Sequence, residues 1–154
     1  MEWQPIEKPW NPLCGKSYEE VKLVVQNNPE TLRYIYNQTE ELCKLAVEKN
    51  GFTLQYIDKQ TEELCKLAVK QNGMALQFVH NQTEELCKLA VHKDGCALIY
   101  VSRQTEEICK LAVEQDGYAL QFVRIQTEEI CRLAVQQNSN VVKYVIDKFL
   151  YLFQ

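Results

Sequence analysis

The sequence is poor in the features that mark secreted, disordered or membrane proteins. Its 154 residues include only 5 glycines and 4 prolines, and no stretch has the composition of a disordered linker. No uninterrupted apolar run approaches the ~20 residues that cross a bilayer. Residues 1–5 lack the basic and apolar regions of a signal peptide. Because the net charge is −4, nothing draws the chain to nucleic acid or to an anionic membrane. We therefore expect an intracellular protein that binds neither.

Residues suited to catalysis or metal binding are also scarce. The two histidines are His80 and His92, and no Cys-x2-Cys motif of a zinc site occurs. His92 and Cys96 are four residues apart, but Gly95 is expected to end the helix between them. No base accompanies Cys14 or Cys96 to activate a nucleophile. The sequence predicts no catalytic residue, no metal and no cofactor, so an enzyme is the least favoured class.

A motif of 22-residue period dominates the rest of the chain. Gln-Thr-Glu-Glu-(Leu/Ile)-Cys recurs at this spacing, and the copies begin at Gln38, Gln60, Gln82, Gln104 and Gln126. We number the units from unit 1 (16–37) to unit 6 (126–147). Unit 1 is degenerate, and unit 6 has Asn138-Ser139 in place of Asn-Gly. A fixed period with atypical end units is typical of a solenoid.

The pattern within a unit predicts two helices. In unit 2, Thr39 is a good N-cap and two glutamates follow it, where the helix dipole favours negative charge. Apolar residues then fill 42–47 on more than one face, so this helix must pack against several neighbours. Asn50-Gly51 ends it, with Gly51 expected in the left-handed C′ position. Residues 52–57 predict a second, shorter helix.

We therefore predict an all-α fold, a short α-solenoid of six two-helix repeats spanning 17–147. Residues 1–16 contain Trp3, Trp10 and three prolines and predict an extended N-terminal arm. Residues 148–154 predict an apolar helical cap at the C-terminus. The alternative is an α/β horseshoe with a strand at 75–79, but the pattern of leucine-rich repeats is missing.

The recurring polar and sulfur-bearing positions are interpreted as framework. Five cysteines lie at one place in successive units, and stacked helices ~8–10 Å apart are too distant for a disulfide. We expect reduced, buried thiols, typical of a reducing compartment. The paired glutamates are expected to pair with the basic residue four positions after the first. The repeated glutamines are expected to hydrogen-bond between units or to loop carbonyls. An acidic edge that grips a basic partner is the alternative for the glutamates.

The unit Gln-Thr-Glu-Glu-Leu-Cys-Lys-Leu-Ala-Val-x-x-Asn-Gly-x-Ala-Leu-Gln-Phe-Val resembles short helical repeats, classed as a domain of unknown function, in proteins of giant DNA viruses that infect amoebae. The resemblance covers residues 38–145 well and 16–37 weakly. It implies an all-α repeat fold and a viral protein made in the host cytoplasm. A place in the virion is the alternative localisation. The resemblance implies no site residues.

Positions that vary between units are the best candidates for partner contacts, because a solenoid repeats its framework and binds through what differs. The preferred set, here called the contact strip, lies between units and comprises Asp58, Lys59, His80, Asn81, Ser102, Arg103, Arg124 and Ile125. Variable apolar positions in the second segment are expected to be partly buried. Unselected drift after duplication is the competing explanation for the variation.

The leading functional hypothesis is a non-enzymatic interaction or scaffold protein whose protein partner is unknown. The alternative is a structural or virion component that self-assembles. The apolar C-terminal residues either seal the last unit or pair with a second copy. A homodimer would use Phe149, Leu150, Leu152 and Phe153.

Overall fold

The computed structural model describes residues 13–154, which form alternating α- and 3-10 helices. The α-helices are ten residues long: α1 (Tyr18–Asn27), α2 (Glu40–Lys49), α3 (Glu62–Gln71), α4 (Glu84–Lys93), α5 (Glu106–Gln115) and α6 (Glu128–Gln137). The 3-10 helices are η1 (Pro29–Tyr34), η2 (Gly51–Tyr56), η3 (Gly73–Phe78), η4 (Gly95–Tyr100), η5 (Gly117–Phe122), η6 (Ser139–Tyr144) and η7 (Asp147–Phe153). Each unit contributes one α-helix and the 3-10 helix that follows it.

Side-chain caps fix where each α-helix begins, as the sequence predicts. The Thr39 hydroxyl accepts a hydrogen bond from the Leu42 amide at 3.3 Å, and the threonines of units 3 to 6 do the same. Ser17 replaces threonine in unit 1 and forms a capping box with Glu20. These bonds satisfy amide donors that have no partner inside the helix.

The second segment of each unit is a 3-10 helix, so the strand predicted by the horseshoe alternative is wrong. In unit 2, Asn50 is extended and its side chain accepts a hydrogen bond from the Phe52 amide at 3.0 Å, which starts η2. Gly51, Leu54 and Ile57 are buried, and their three-residue spacing places them on one side of a 3-10 helix. Residues 13–154 contain no strand.

The helices stack in two layers, and the predicted all-α repeat solenoid is confirmed. Each α-helix packs against the α-helices of adjacent units and each 3-10 helix against its counterparts, while α-helices also contact the 3-10 helices of their own and the preceding unit. In α3, Leu64, Cys65, Ala68 and Val69 are buried, and the same four positions are buried in α2, α4 and α5. One core therefore runs the length of the array.

The glycine that follows each α-helix has a different role from the one predicted. Within residues 13–154 only Gly15 has a positive φ, so the left-handed C′ position predicted for Gly51 and its equivalents is wrong. A Cβ at Gly95 would instead lie 2.5 Å from the carbonyl oxygen of Ala112 in the next unit, and Gly51, Gly73 and Gly117 are equally close to the next alanine. Glycine is needed here because two backbones meet.

The end units differ where a neighbour is missing. Glu20 of α1 is exposed at the place where α2 buries Leu42. Ser139 replaces the glycine in unit 6, behind which no further α-helix of residues 13–154 packs. Pro29 replaces it in unit 1 and opens η1, although α2 packs against η1. The predicted arm at 1–16 lies outside the described residues up to position 12, and 13–15 form a turn with Leu13 buried.

Candidate interaction surface

The eight residues of the contact strip lie in the short loops that join each 3-10 helix to the next α-helix. All eight are exposed, and Ile125 exposes 81% of its surface. They occur as four pairs at one position in successive units, so the stacking of the units brings the pairs into a single row. The row extends at one end to Tyr36, which is 79% exposed, and at the other to Ile146.

The repeated glutamines hold the backbone of this row. Gln82 donates from its amide nitrogen to the carbonyl oxygens of Leu76 and Tyr100, at 3.4 and 2.9 Å, and its oxygen accepts from the Ser102 amide at 2.9 Å. Each repeated glutamine accepts a hydrogen bond in this way from the backbone amide 20 residues later in its own unit, from Gln38 with Asp58 through Gln126 with Ile146. A constant side chain thus fixes the backbone of a variable residue.

Arg124 is the strip residue with the most contacts to the framework. Its guanidinium donates to the carbonyl oxygens of Ser102 and Val101 at 2.8 and 3.1 Å. These bonds join units 4 and 5, so Arg124 supports the stack in addition to lying on the surface. The sequence could not distinguish it from Arg103, because both are arginines in variable loops that join a 3-10 helix to the next α-helix.

A surface depression lies between the strip residues of units 2 and 3. It has a volume of about 340 Å³, and its lining includes Asp58, Lys59, His80 and Asn81. Buried Cys65 and Leu86 form part of its floor. Four of the eight predicted contact residues therefore surround one concave site.

The glutamate rows form a network of ion pairs that includes contacts between units. The predicted pairing four residues apart is present at Lys66, Lys88, Lys110 and Arg132. Lys88 lies 3.0 Å from Glu84 and 2.9 Å from Glu107 of the next unit, and Lys110 makes the same two contacts. The contact between units was not predicted, because it depends on how adjacent helices are placed. These pairs support the framework interpretation.

The cysteines are free thiols, and those of the repeat are buried. Burial, with a contribution from the Asp58 charge, raises the pKa of the Cys43 thiol to about 11. Burial also raises the pKa of Cys65, Cys87, Cys109 and Cys131. Half-buried Cys96 has its pKa raised to about 11 by burial and by its hydrogen bond to Asp116. Since the thiolate is the reactive form, these groups are poor nucleophiles at neutral pH.

A column of aromatic rings on the 3-10 helices is a second repeated surface, and the sequence reasoning missed it. Each unit contributes one half-buried ring to it, and the rings belong to Tyr34, Tyr56, Phe78, Tyr100, Phe122 and Tyr144. Beside it lie the half-buried variable residues Phe52, Met74, Cys96 and Tyr118. The Phe52 and Phe78 rings meet edge to face at 5.9 Å. The recurrence of an aromatic residue every 22 positions is the sequence signal that predicts this column.

The C-terminal segment lies against the last unit. Phe149, Leu150 and Phe153 pack on the core, and Leu152 is half-buried. η7 contacts α6, and the Tyr151 hydroxyl donates to Glu128 at 3.4 Å. These four predicted self-association residues thus already contact their own chain in part, while Tyr151 remains 61% exposed.

The stacked helix pairs and the repeated bonds between units define an all-α repeat protein. Comparison with protein families finds two tandem matches to a domain of unknown function, DUF4116, at residues 39–82 and 83–127. Each match begins at a capping threonine and spans two units. The chain belongs to this family. Neither a curated protein nor a solved structure matches the chain.

Two further observations bear on cofactors and membranes. Within residues 13–154, histidine, cysteine and acidic side chains do not come together in groups of three or more that could hold a metal ion. Across the same residues, every helix is too short or too polar to span a bilayer.

Proposed function

We propose that this protein is a non-enzymatic scaffold that binds a protein partner through the contact strip. One observation carries the proposal, namely that each repeated glutamine fixes the backbone of the variable strip residue at the other end of its own unit. In units 3 to 5 this residue is His80, Ser102 or Arg124. A rigid backbone with variable exposed side chains lowers the entropy cost of binding. Variation at His80 and Ser102 therefore changes recognition without altering how units stack, whereas Arg124 also supports the stack.

The chemistry of the strip favours a partner with mixed charge and an apolar anchor. Lys59 and Arg103 supply positive charge, and Asp58 supplies negative charge beside the depression between units 2 and 3. At the other end, Ile125 offers a large apolar side chain to solvent. Apolar residues at the centre of an interface carry most of the binding energy, while charged residues at its rim set specificity.

The test is quantitative affinity purification from the native host cell with the unaltered chain and with the variant K59S/R103S/I125S. None of these three side chains takes part in the glutamine bonds, so the fold is expected to be retained. We expect a specific partner that the unaltered chain enriches and the variant loses. The interaction should then be reproduced with both proteins purified.

The matched control is K70S/K93S, which removes two positive charges from exposed positions near the ends of α3 and α4. Circular dichroism shows whether each variant keeps its helices. Equal loss of the partner with both variants would attribute the interaction to net charge. Full retention by the strip variant would contradict the proposal and direct attention to the ends of the array.

Viral origin is a further part of the proposal, and the resemblance of the repeated unit to repeats of giant DNA viruses supports it. In that setting the protein is made in the host cytoplasm, and a place in the virion is the alternative. Immunoblots of infected and uninfected amoebae, and of purified particles, test both statements. A signal in uninfected cells would contradict viral origin.

The second candidate function is a building block that self-assembles through the C-terminal end. Exposed Ile146 and Tyr151 favour it, because both offer large apolar surface beside the last described unit. Light scattering over a concentration series is the measurement, with I146S/Y151S as the variant. A homodimer that the variant abolishes supports this candidate. A monomer at every concentration contradicts it.

A further inference from the structure

The chain itself shows what the aromatic column can bind. At its first step, the guanidinium carbon of Arg33 lies 5.4 Å from the centre of the Tyr34 ring and 5.3 Å from that of Tyr56. At its last step, the Lys143 amine lies 5.0 Å from the Tyr144 ring centre. All three distances fall within the range of cation–π attraction. The gap between two successive rings therefore accommodates an arginine head group.

Among residues 13–154, no cationic side chain lies in the gaps between the rings of Tyr56, Phe78, Tyr100 and Phe122. The positions equivalent to Arg33 hold Gln55, Gln77, Ile99 and Gln121. The three glutamines bend back, and their amide nitrogens donate at 3.0–3.1 Å to carbonyl oxygens of their own 3-10 helices. Arg33 and Lys143 thus lie beside rings at the two ends of the column, while the gaps between the inner rings face neutral side chains.

Negative charge beside the gaps between the inner rings favours binding of a cation. A depression of about 190 Å³ in units 2 and 3 is lined by Asn50 together with the rings of Tyr56 and Phe78. In units 4 and 5 aspartate replaces this asparagine, as Asp94 and Asp116, and both are half-buried. A carboxylate therefore lies at the rim of the equivalent sites, where it adds Coulomb attraction to the ring contacts.

We propose that the inner aromatic column, formed by Tyr56, Phe78, Tyr100 and Phe122, binds an extended, arginine-containing segment of a partner protein. Successive arginines enter successive gaps, as Arg33 does in the first. This surface is separate from the contact strip and adds a second recognition site to the array.

The geometry also sets the spacing of the arginines. Because Arg33 contacts two rings at about 5.3–5.4 Å, their centres are less than 11 Å apart. Stacked helices lie roughly 8–10 Å apart, and a segment in the extended polyproline II conformation advances about 3.1 Å per residue with three residues per turn, so that every third side chain lies on one face. Three residues therefore cover one unit, and the preferred ligand has an arginine at every third position.

The test is fluorescence anisotropy with the full chain and a labelled peptide whose three arginines are separated by Gly-Ser pairs. The comparison peptides carry lysine at the same positions, or three adjacent arginines. We expect the spaced arginine peptide to bind several-fold more tightly than either, since arginine is the more frequent partner of aromatic rings. Chemical shift changes at Tyr56 and Tyr100 should locate the peptide on the column.

Two variants separate ring contacts from charge. Q77R/I99R places the chain's own arginines beside two inner gaps and should weaken binding on the order of tenfold, because it removes two contacts and adds repulsion. Q26R/Q136R adds the same charge at exposed positions on α1 and α6 and should change affinity less than about twofold. Tyr100→Leu keeps an apolar side chain but removes the ring, and it should also weaken binding.

Three results would overturn the proposal: no binding of the spaced arginine peptide, equal loss with both charge variants, or shift changes confined to the contact strip. The strip variant K59S/R103S/I125S is expected to keep full affinity for the peptide. Failure here is thus distinguishable from failure of the proposed function.

Discussion

Replacing Gly95 with alanine tests the claim that glycine is required by a close approach of two units. An added Cβ would lie 2.5 Å from the Ala112 carbonyl oxygen, 2.8 Å from the Gln115 side-chain oxygen and 3.0 Å from the Asp116 Cβ. Two of these neighbours belong to backbone or to a Cβ, so the strain cannot be relieved by turning a flexible side chain. Units 4 and 5 must move apart.

The magnitude follows from three contributions. Overpacking of a close contact costs about 1–3 kcal/mol. Separation also weakens the 2.6 Å hydrogen bond from the Gly95 amide to Gln115, a loss of about 1 kcal/mol. Alanine stiffens the unfolded chain and offsets about 0.4–1 kcal/mol. The free energy of unfolding should fall by about 2–3 kcal/mol, which lowers Tm by roughly 5–10 °C in a chain of this size.

The assay is urea unfolding followed by circular dichroism, with Ser139→Ala as the matched control. Ser139 occupies the equivalent position and is exposed, so its substitution should change stability by less than about 0.5 kcal/mol. Gly95→Asn distinguishes the two explanations of the glycine. A left-handed cap tolerates asparagine better than alanine, whereas a close approach makes the larger residue worse. Greater stability of the asparagine variant would refute our reasoning.

Three further predictions concern the framework. Gln104→Ala should lower the free energy of unfolding by about 1–2 kcal/mol, since it removes hydrogen bonds to the part-buried carbonyl oxygens of Leu98 and Phe122. The exposed control Gln121→Ala should change it by less than about 0.5 kcal/mol in urea titrations, and equal effects would contradict this. Lys110→Met removes the ion pairs to Glu106 and Glu129. It should lower the free energy of unfolding by at most about 1 kcal/mol, and by less in high salt. A loss of stability that does not change with salt would contradict the ion-pair explanation. Burial raises the pKa of Cys43 to about 11, so the folded state holds the thiol proton more tightly than the unfolded state does. The free energy of unfolding should therefore be highest below about pH 8.5 and fall as the pH rises toward 11. Cys43→Ala should flatten that fall in pH-dependent melting curves, and an unchanged slope would contradict the assignment.

The sequence predicts the period, the capping threonines, the buried cysteines and the exposure of the strip, because each follows from local pattern alone. The 3-10 form of residues 51–56 is harder to predict from the sequence. Apolar residues three apart and four apart both occur within these six residues, so the spacing does not distinguish a 3-10 helix from an α-helix. Gly95 was misassigned because asparagine or aspartate before glycine is the same signal for a left-handed cap and for a close approach. Contacts such as Lys88 with Glu107 depend on the placement of adjacent helices, which a one-dimensional pattern does not contain.

The repeated residues hold the structure, and the variable residues are left available for recognition. Gln82 joins three backbone segments from two units, so the position of Ser102 is fixed without any contribution from the Ser102 side chain. Substitutions at such strip positions therefore cost little stability, and recognition can change one unit at a time. Arg124 is the exception, because its guanidinium bonds to the preceding unit. A partner that engages Arg124 must compete with those bonds or leave them intact, so it is expected to contact the neighbouring Ile125 instead.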